Sequence, residues 1–545
     1  MTSTTIDAGD DLPLTVGALL RARASEHGSR PFVVCDDDVL TYDEAATRSA
    51  RLARALMAVG AGKGTHIGLL HPNGADFVVS WLAAARIGAV TVPLSTFSTP
   101  AELGGLLRSA DIEVLLSAAS YRSHDYPATL SAAMAELDLS SASPLMAPSV
   151  PTLRQIRFTV DDPAVDPRWK VASLLDSASA IDEDVLSAAE SDVTPADRLV
   201  IVHTSGSTSE PKGVIHTHGA LIRHLDNLNQ VRRYDESDVL FSNSPLFWIG
   251  GFAFSLLGTL VAGARLVCSN AVDAAGVLDV VERERPTMAC GFAQSVAHLP
   301  ADPSFAARDL SSIRRGNLWP ILPSDVSPAD PELRHSMFGM SETGSVCLVA
   351  ADETDLPEHQ RGSFGRPAPG FEAKVIDPDT GTPCGVDVTG ELWFRGPFVM
   401  EGYYGRERSE AFDPDGWFRT GDRFAVDADG WFYFKGRLGD MIKTSGANVS
   451  PREVEAAIEQ LTGLRSHVTG VDDGARGQVV AAAIVVPDGE VLDPDRIVDL
   501  RRGLAGRLSA YKVPKIILSV PESDVPMMSS GKLDARALKD MLDVG

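Results

Sequence analysis

Through roughly the first 300 residues, short apolar runs typical of strands alternate with stretches in which apolar residues have helical spacing. The short runs His66–Leu70 and Val114–Leu116 have the composition and length of buried strands. Between them, Asp76–Ile87 shows helical spacing, and Thr41 with Glu44 forms the signature of a capping box at the start of another helix. Strands and helices that alternate in this way predict parallel sheets covered by helices, and so an α/β fold.

The pattern changes after about residue 365, where strand-length runs are separated by turn residues. Glu372–Ile376, Gly390–Phe394 and Asp422–Phe434 read as strands, and Asp427–Gly430 gives a hairpin signal within the last of them. From about Arg437 a smaller α+β module is predicted.

The start of the first helix in this module has a clear signature. Ser450 is placed as its N-cap, Pro451 as its first residue and Glu453 as a capping glutamate. A strand over Val479–Val486 and a helix over Pro494–Leu508 are expected to follow.

Two stretches fit this pattern less well. Pro127–Thr194 is rich in Ser, Ala and Pro with acidic clusters, which is typical in part of a variable surface connection. Val239–Ala264 contains no charged residue, so a membrane span is one interpretation. Asn243, Pro245 and four glycines within it favour the alternative, a buried helix beside a core or pocket.

Charge and cysteine usage narrow the class of protein. The 545 residues include 49 basic and 74 acidic ones, which gives a formal net charge of −25. Such a surface argues against nucleic acid and anionic membranes as partners, although a local basic pocket can still bind small anions. The five cysteines form no C-x-x-C pair, and the N-terminus lacks an apolar signal region. A cytoplasmic protein without a membrane span is expected.

The loop Thr204–Gly213, TSGSTSEPKG, directly follows the apolar run Leu199–Val202. It is not a Walker A loop, because Pro211 stands where that motif has its second glycine, and proline donates no N–H. Hydroxyl groups, backbone amides and the single cation of Lys212 are nevertheless suited to bind phosphates. A flexible surface turn is the alternative interpretation of the loop alone.

Further motifs follow this loop in order, and with it they resemble the adenylate-forming superfamily. That superfamily includes acyl-CoA synthetases, firefly luciferase and the adenylation domains of peptide synthetases, and the resemblance covers nearly the whole chain. The matching motifs are T-S-G-[ST]-T-G-x-P-K-G at Thr204–Gly213 (with Ser209 for a glycine), Y-G-x-T-E at Phe338–Glu342, T-G-D at Thr420–Asp422, G-R-x-x-D at Gly436–Asp440, and P-x-x-x-S-G-K at Pro526–Lys532.

The resemblance implies a site for ATP and Mg²⁺. Glu342 is expected to bind Mg²⁺, Ser341 to donate to the α-phosphate, and Lys532 to reach both the carboxylate and the α-phosphate during adenylation. Phe338 is expected to stack on adenine, Asp422 to accept from the ribose hydroxyls and Arg437 to donate to the sugar. The other expected nucleotide-binding residues are Thr204, Ser205, Gly206, Ser207, Thr208, Lys212, Gly339 and Met340.

The resemblance also implies two domains and two half-reactions. A large domain of mixed sheets with a β-barrel-like subdomain would span residues 1–438, and a small mobile α+β domain residues 439–545. The first half-reaction makes acyl-AMP, and the second admits the thiol of coenzyme A past Ser445 and Gly446. The hinge position of the family falls on Gly439, where the family usually has Asp or Lys.

The acyl pocket is expected around Phe247, Trp248 and Gly250. Relatives that activate amino acids place an aspartate near the position of Trp248, so an α-amino acid is disfavoured here. The neighbouring Phe252 and Phe254 favour an apolar acid, which could be fatty, aryl or polycyclic, unless these aromatic residues simply fill the core.

The expected activity is an ATP-dependent acid–CoA ligase of lipid or fatty acid metabolism, with the oligomeric state, a homodimer included, left open. One alternative is an acyl-AMP ligase that loads a separate carrier protein. Another is a weakly catalytic acyl- or nucleotide-binding protein. Ser209, Gly439 and the atypical segment 314–335, with Gly316 and Asn317 where the family has an adenine-contacting strand, motivate that second alternative.

Overall fold

The structure, a computed structural model, describes residues 12–140, 145–160, 165–204, 211–334, 336–350, 354–437, 441–444, 446–474, 477–487, 490–526 and 533–543. The described residues of Met1–Thr96, Leu107–His203 and Gly213–Gly436 form one compact unit. Those of Phe97–Leu106, Thr204–Lys212 and Arg437–Gly545 form a second.

The α-helices of the described residues are α1 (Val16–His27), α2 (Tyr42–Ala58), α3 (Ala75–Arg86), α4 (Pro100–Ser109), α5 (Tyr126–Ala133), α6 (Val171–Asp176), α7 (Glu183–Asp192), α8 (His218–Arg232), α9 (Gly258–Ala262), α10 (Ala274–Glu284), α11 (Ala293–Val296), α12 (Pro451–Thr462), α13 (Pro494–Ala505) and α14 (Ala535–Leu542). A π-helix, Gly250–Leu257, directly precedes α9.

The strands are β1 (Pro31–Cys35), β2 (Asp38–Thr41), β3 (His66–Leu70), β4 (Val90–Pro93), β5 (Val114–Ala118), β6 (Ser120–Tyr121), β7 (His124–Asp125), β8 (Gln155–Thr159), β9 (Arg198–Thr204), β10 (Lys212–Thr217), β11 (Val239–Phe241), β12 (Arg265–Cys268), β13 (Met288–Ala289), β14 (Arg315–Gly316), β15 (Phe338–Met340), β16 (Ser345–Val349), β17 (Arg366–Pro367), β18 (Glu372–Ile376), β19 (Gly390–Arg395), β20 (Phe418–Val426), β21 (Phe432–Arg437), β22 (Ile442–Thr444), β23 (Ala447–Val449), β24 (Ser466–Asp473), β25 (Gly477–Val486) and β26 (Ile516–Pro521).

Two six-stranded sheets form the main α/β part, as the alternating pattern predicts. Their strand orders are β14-β13-β11-β12-β1-β2 and β10-β9-β4-β3-β5-β8. In the second sheet, β3 pairs in parallel with both β4 and β5, and β4 pairs in parallel with β9. Every residue of β3 is buried, which explains why it reads as a continuous run rather than an alternating one. The α/β fold class is confirmed.

Local capping chemistry fixes where α2 begins. The Thr41 hydroxyl accepts from Glu44 N at 3.2 Å, and the Glu44 carboxylate accepts from Thr41 N at 2.9 Å. This reciprocal pair satisfies two backbone donors that a helix leaves free at its N-terminus. The predicted capping box is therefore present.

The strands from β15 to β20 pair in antiparallel fashion. One sheet has the order β15-β16-β17 and another the order β18-β19-β20-β21. Asp427 shapes the turn between β20 and β21, because its carboxylate accepts from Asp429 N at 3.0 Å and Trp431 N at 2.9 Å. The predicted hairpin is therefore present, with a longer loop than the two-residue turns.

In the second unit a five-stranded sheet has the order β23-β22-β25-β24, with β26 parallel to β25. Ser450 occupies the N-cap position of α12 and Pro451 its first residue, as predicted, but the Ser450 side chain makes no capping hydrogen bond. Glu453 does not cap the helix either. Its carboxylate accepts from Lys512 Nζ at 2.8 Å, and the same ammonium donates to Glu102 at 2.7 Å.

The two ambiguous stretches have more regular structure than their composition indicates. Residues 127–194 supply β8, which extends the sheet beside β5, together with helices α6 and α7. Val239–Ala264 forms β11, the π-helix and α9, and most of these residues are buried. No helix in the described part of the chain is long and apolar enough to cross a membrane.

Candidate active site

A tight turn presents Ser341 and Glu342. β15 runs antiparallel to β16, with Gly339 opposite Val346 and Met340 opposite Ser345, and residues 341–343 form one turn of 3₁₀-helix between them. A Cβ at Gly339 would lie 2.5 Å from Ser345 O, so only glycine allows the two strands to approach this closely. The sequence motif thus builds a compact hairpin with its carboxylate at the tip.

The Glu342 carboxylate is fixed by a residue that the motif does not contain. Tyr403 Oη donates to Glu342 Oε1 at 2.8 Å, and Met400 N donates to the Glu342 carbonyl at 2.8 Å. Of the described residues, Tyr403 alone hydrogen-bonds this carboxylate. Tyr403 lies 61 residues further along the chain, so no local pattern links it to the motif.

A buried histidine holds the turn from the other side. His216 Nε2 lies 2.6 Å from the Ser341 carbonyl oxygen. Because a carbonyl oxygen only accepts, Nε2 carries the proton in this contact. Burial lowers the pKa of His216 to about 4, so the ring is neutral near pH 7.

His216 lies on β10, the strand that follows the hydroxyl-rich loop. Residues 401–404 pair with the same strand, since Tyr404 N donates to Gly213 O at 2.7 Å and Ile215 N to Gly402 O at 3.1 Å. Val214 and Tyr403 form a bridge at the centre of this pairing. Residues 213–216, the Ser341–Glu342 turn and Tyr403 are therefore held together.

The loop itself is described only at its ends. Thr204 is the last residue of β9, and Lys212 is the first of β10. The predicted phosphate-binding residues Ser205, Gly206, Ser207 and Thr208 lie outside the described residues. Their roles stay predictions.

Phe338 and Asp422 both lie near Cys347. Phe338 is 8% exposed and packs against Phe424 at a centroid distance of 4.9 Å, within an aromatic cluster that also includes Phe364 and Phe434. The Cys347 thiol donates to Phe338 O. Burial raises the pKa of Cys347 to about 12, and the carboxylate of Asp422, itself 1% exposed, acts in the same direction. The structure thus brings these two predicted nucleotide-binding residues together.

A second cluster contains the predicted acyl-pocket residues. We call residues 245–251 the acyl segment. Trp248 packs edge-on against Phe247 at 5.6 Å and against Phe292 at 6.4 Å. A Cβ on Gly250 would meet no atom within 4 Å, so the chain borders open space there. Phe247 is 4% exposed and belongs to the core, whereas Phe292 is 40% exposed.

Asn73 anchors the start of the acyl segment. Its Nδ2 donates to Ser244 O at 3.1 Å, and its Oδ1 accepts from Leu246 N at 2.8 Å. The Asn73 carbonyl in turn accepts from Asn270 Nδ2 at 2.8 Å. Sequence reasoning missed Asn73, because it lies more than 170 residues before the segment that it holds.

The predicted thiol-tunnel and hinge residues are described only in part. Gly446 lies in the turn between β22 and β23 with a φ of +85°, a conformation that favours glycine over other residues. Ser445, Gly439 and Lys532 lie outside the described residues, as does the side chain of Arg437.

The chemistry at Glu342 fits one magnesium ligand and no more. Within the described residues, no group of three or more His, Cys, Asp or Glu side chains could hold a metal. Mg²⁺ commonly binds through one or two carboxylates and completes its shell with substrate phosphates and water. Glu342, partly exposed and oriented by Tyr403, satisfies that requirement.

Comparisons with known proteins agree with these features. A family model described as AMP-binding enzyme matches residues 20–404. Feruloyl-CoA synthase of Amycolatopsis sp. is 31% identical over 524 residues, which cover 94% of this chain and 96% of that protein. 4-Coumarate–CoA ligase 3 of Oryza sativa subsp. japonica is 29% identical over 560 residues, covering 98% and 93%.

The fold also matches a solved structure. A double mutant of o-succinylbenzoate CoA synthetase from Bacillus subtilis, bound with its product analogue, superposes with a TM-score of 0.74 at 23% identity. The match covers 97% of this chain and 98% of that one. Together with the family model, which spans most of the sequence, these matches confirm the resemblance found in the motifs. The chain belongs to the AMP-binding enzyme family of adenylate-forming acid–thiol ligases.

Proposed function

We propose that this protein is an ATP-dependent acid–CoA ligase that activates an apolar carboxylic acid through an acyl-adenylate. The observation that carries the proposal is the Ser341–Glu342 turn, fixed by His216 and Tyr403 against the strand that follows the hydroxyl-rich loop. That arrangement holds a carboxylate and a serine against residues 213–216, which follow in sequence a loop whose composition suits phosphates. The two relatives named above, a CoA ligase and a CoA synthase, support the same reaction.

In the first half-reaction a carboxylate oxygen of the acid attacks the α-phosphorus of ATP, and pyrophosphate leaves. Two anions must approach each other, so the site has to neutralise phosphate charge. Lys212 and the loop hydroxyls would bind the β- and γ-phosphates, and Ser341 would donate to the α-phosphate. Lys532 would contact the acid carboxylate and the α-phosphate.

Mg²⁺ bound at Glu342 would draw negative charge from the phosphate oxygens. Tyr403 orients the carboxylate by donating to Oε1. His216, which is neutral, keeps the turn in place without adding a charge beside it.

In the second half-reaction the thiol sulfur of coenzyme A attacks the acyl carbonyl carbon, AMP leaves with the electron pair of the broken C–O bond, and the thiol proton passes to the departing phosphate or to water. Gly446, in the turn between β22 and β23, would lie beside the path of the thiol together with Ser445. Release of AMP and pyrophosphate balances the overall reaction, and the acid leaves as its CoA thioester.

An apolar acid is supported by the residues around the acyl segment. Trp248 and Phe292 supply aromatic surface, and Gly250 borders open space. No carboxylate of the acyl segment could pair with a substrate amine, because residues 245–251 contain no Asp or Glu.

The proposed function is tested by acid-dependent release of AMP from ATP. Fatty, aryl and polycyclic acids are compared, each with and without coenzyme A. CoA-dependent turnover of an apolar acid is the expected result. Acid-dependent pyrophosphate exchange without a CoA product would instead favour transfer to a carrier protein. Absence of turnover across the whole panel would contradict the ligase.

Replacing Asn73 with alanine is expected to raise KM for the acid about tenfold or more while changing KM for ATP little. The reason is that both hydrogen bonds that fix Ser244 and Leu246 are lost, so the acyl segment loses its defined position. Steady-state kinetics with each substrate varied in turn measures the KM for the acid and the KM for ATP. Asn270→Ala, which removes a neighbouring amide but leaves the contacts to the acyl segment, is the control. Equal increases in both KM values would contradict a local effect.

A further inference from the structure

Asn243 lies where the acyl segment meets the segment 291–296. Its Oδ1 is 3.1 Å from Ser295 Oγ, and a Cβ built on Gly291 would lie 3.5 Å from the same oxygen. The ring contact between Trp248 and Phe292 joins the same two segments. The Asn243 amide therefore lies at the junction of the two segments that carry these aromatic rings.

The hydroxyl of Ser295 determines which end of the Asn243 amide is hydrogen-bonded. Ser295 Oγ also donates to Phe292 O, in a contact shorter than the one to Asn243. A serine hydroxyl has one proton, which Phe292 O and Asn243 Oδ1 share as acceptors. The amide therefore faces Ser295 with its oxygen, and no described residue accepts a hydrogen bond from its NH₂ group.

Asn243 keeps hydrogen-bonding capacity that the nearby Asn317 does not. Both ends of the Asn317 amide bond to the backbone of Gly291. Gly291 N donates to Oδ1, and Nδ2 donates to Gly291 O, each at 2.9 Å. Asn317 thereby fixes the position of Gly291. In the part of the chain that the structure describes, Ser295 is the one hydrogen-bond partner of the Asn243 side chain, which is also partly exposed.

The surroundings offer aromatic surface beside this amide. Trp248 and Phe292 are nearly perpendicular, at 87°, and Phe292 keeps 40% of its surface exposed. Aromatic side chains in this arrangement offer both a face and an edge to a flat apolar ligand. A polar group with free capacity beside such rings usually sets the orientation and specificity of the ligand.

We propose that Asn243 is a specificity-determining residue, and that the acid it selects is a ring-bearing apolar acid with a hydroxyl group on the ring. This inference rests on the proposed ligase function and names the substrate class of the same site. A ring hydroxyl accepts as well as donates, so it offers an acceptor to the amide NH₂ group and leaves the Ser295 contact intact. A plain fatty chain offers neither a flat face for Trp248 and Phe292 nor a partner for Asn243.

The experiment compares pairs of aryl acids that differ by one ring hydroxyl, with cinnamate against its 3- and 4-hydroxy forms and 2-naphthoate against its 6-hydroxy form. The expected result for the unmodified enzyme is a higher kcat/KM for a hydroxylated acid, by about tenfold to hundredfold. Asn243→Leu, which has nearly the same shape, is expected to remove that preference. Ser295→Ala, which frees the amide to rotate, is expected to reduce the preference by a smaller factor.

Two controls separate specificity from damage to the fold. KM for ATP in Asn243→Leu reports whether the nucleotide site is intact, and Gln460→Leu removes an exposed amide from α12. A second variant, Asn243→Ala, repeats the measurement should the leucine variant fail to fold.

The outcomes are distinguishable. Turnover of the acids without a hydroxyl preference, or with a preference that survives in Asn243→Leu, overturns the role of Asn243 and leaves the ligase function standing. Absence of CoA-dependent turnover with every acid overturns the proposed function and, with it, this substrate class.

Discussion

Replacing Glu342 with glutamine is expected to lower the rate of acyl-adenylate formation by about a hundredfold to a thousandfold. Glutamine has nearly the same shape, and its side-chain oxygen can still accept from Tyr403 Oη. The variant therefore removes the negative charge while it retains the contact that orients the group. A loss of this size is typical when one preorganised electrostatic group is removed from a site where charge develops.

The measurement is acid-dependent pyrophosphate exchange at increasing concentrations of Mg²⁺. If Glu342 is the magnesium ligand, the concentration of Mg²⁺ that gives half of the maximal rate rises in Glu342→Gln. A partial recovery of the rate at high Mg²⁺ is also expected, because mass action offsets weaker binding.

Tyr403→Phe is the matched control, because it removes the hydrogen bond and keeps the charge. The loss of one hydrogen bond to a charged, partly exposed carboxylate corresponds to about 1.5–3 kcal/mol at most, so a smaller effect on the rate is expected. If the two variants lower the rate equally, with the same Mg²⁺ dependence, Glu342 acts only by holding the turn, and its role as a metal ligand is wrong.

The sequence predicts those parts of the fold that depend on neighbouring residues. The strand His66–Leu70 is predictable because it is buried on both faces, so that the run is continuous. The capping box of Thr41 and Glu44 is predictable because both residues lie within one helical turn. The motif Phe338–Glu342 is likewise local, since β15 and its turn are built from consecutive residues.

Long-range partners explain what the sequence cannot show. Ser450 and Glu453 have the spacing of a capping box, but the buried ammonium of Lys512 binds the Glu453 carboxylate more favourably than the helix end does. Tyr403 and Asn73 are distant in sequence from the groups that they orient. The π-helix after the acyl segment has no signature in the apolar pattern, which predicts only that the region is buried.

Acidification from pH 6.5 to 5.5 is expected to lower the free energy of unfolding steeply, because several buried or half-buried histidines are neutral in the folded protein. Burial lowers the pKa of each of them from its ordinary value of 6.5, to about 3 or about 4. These residues are His71, His203, His216, His218 and His224. Each belongs to the larger unit.

The sign follows from proton linkage. Below pH 6.5 the unfolded chain binds protons at these histidines, while the folded chain does not until the pH approaches 4. Their contribution to stability is therefore fully present above pH 6.5 and is lost as the pH falls. Each histidine contributes a slope of about 1 kcal/mol per pH unit near pH 5.5, so the five together give roughly 5 kcal/mol per unit. Carboxyl groups titrate mainly below this range, with ordinary pKa values near 4.

Unfolding in urea at pH 7.5, 6.5 and 5.5 measures the slope. His224→Gln is expected to reduce it by about one proton, because His224 is fully buried between Phe371 and Phe398 and its pKa is lowered to about 3. His359→Gln, which replaces an exposed histidine, is the matched control. If unfolding takes up fewer than about one proton in total over this pH range, the folded protein accommodates these imidazolium charges. The neutral state assigned to His216 beside Ser341 would then be wrong as well, since it depends on the same burial.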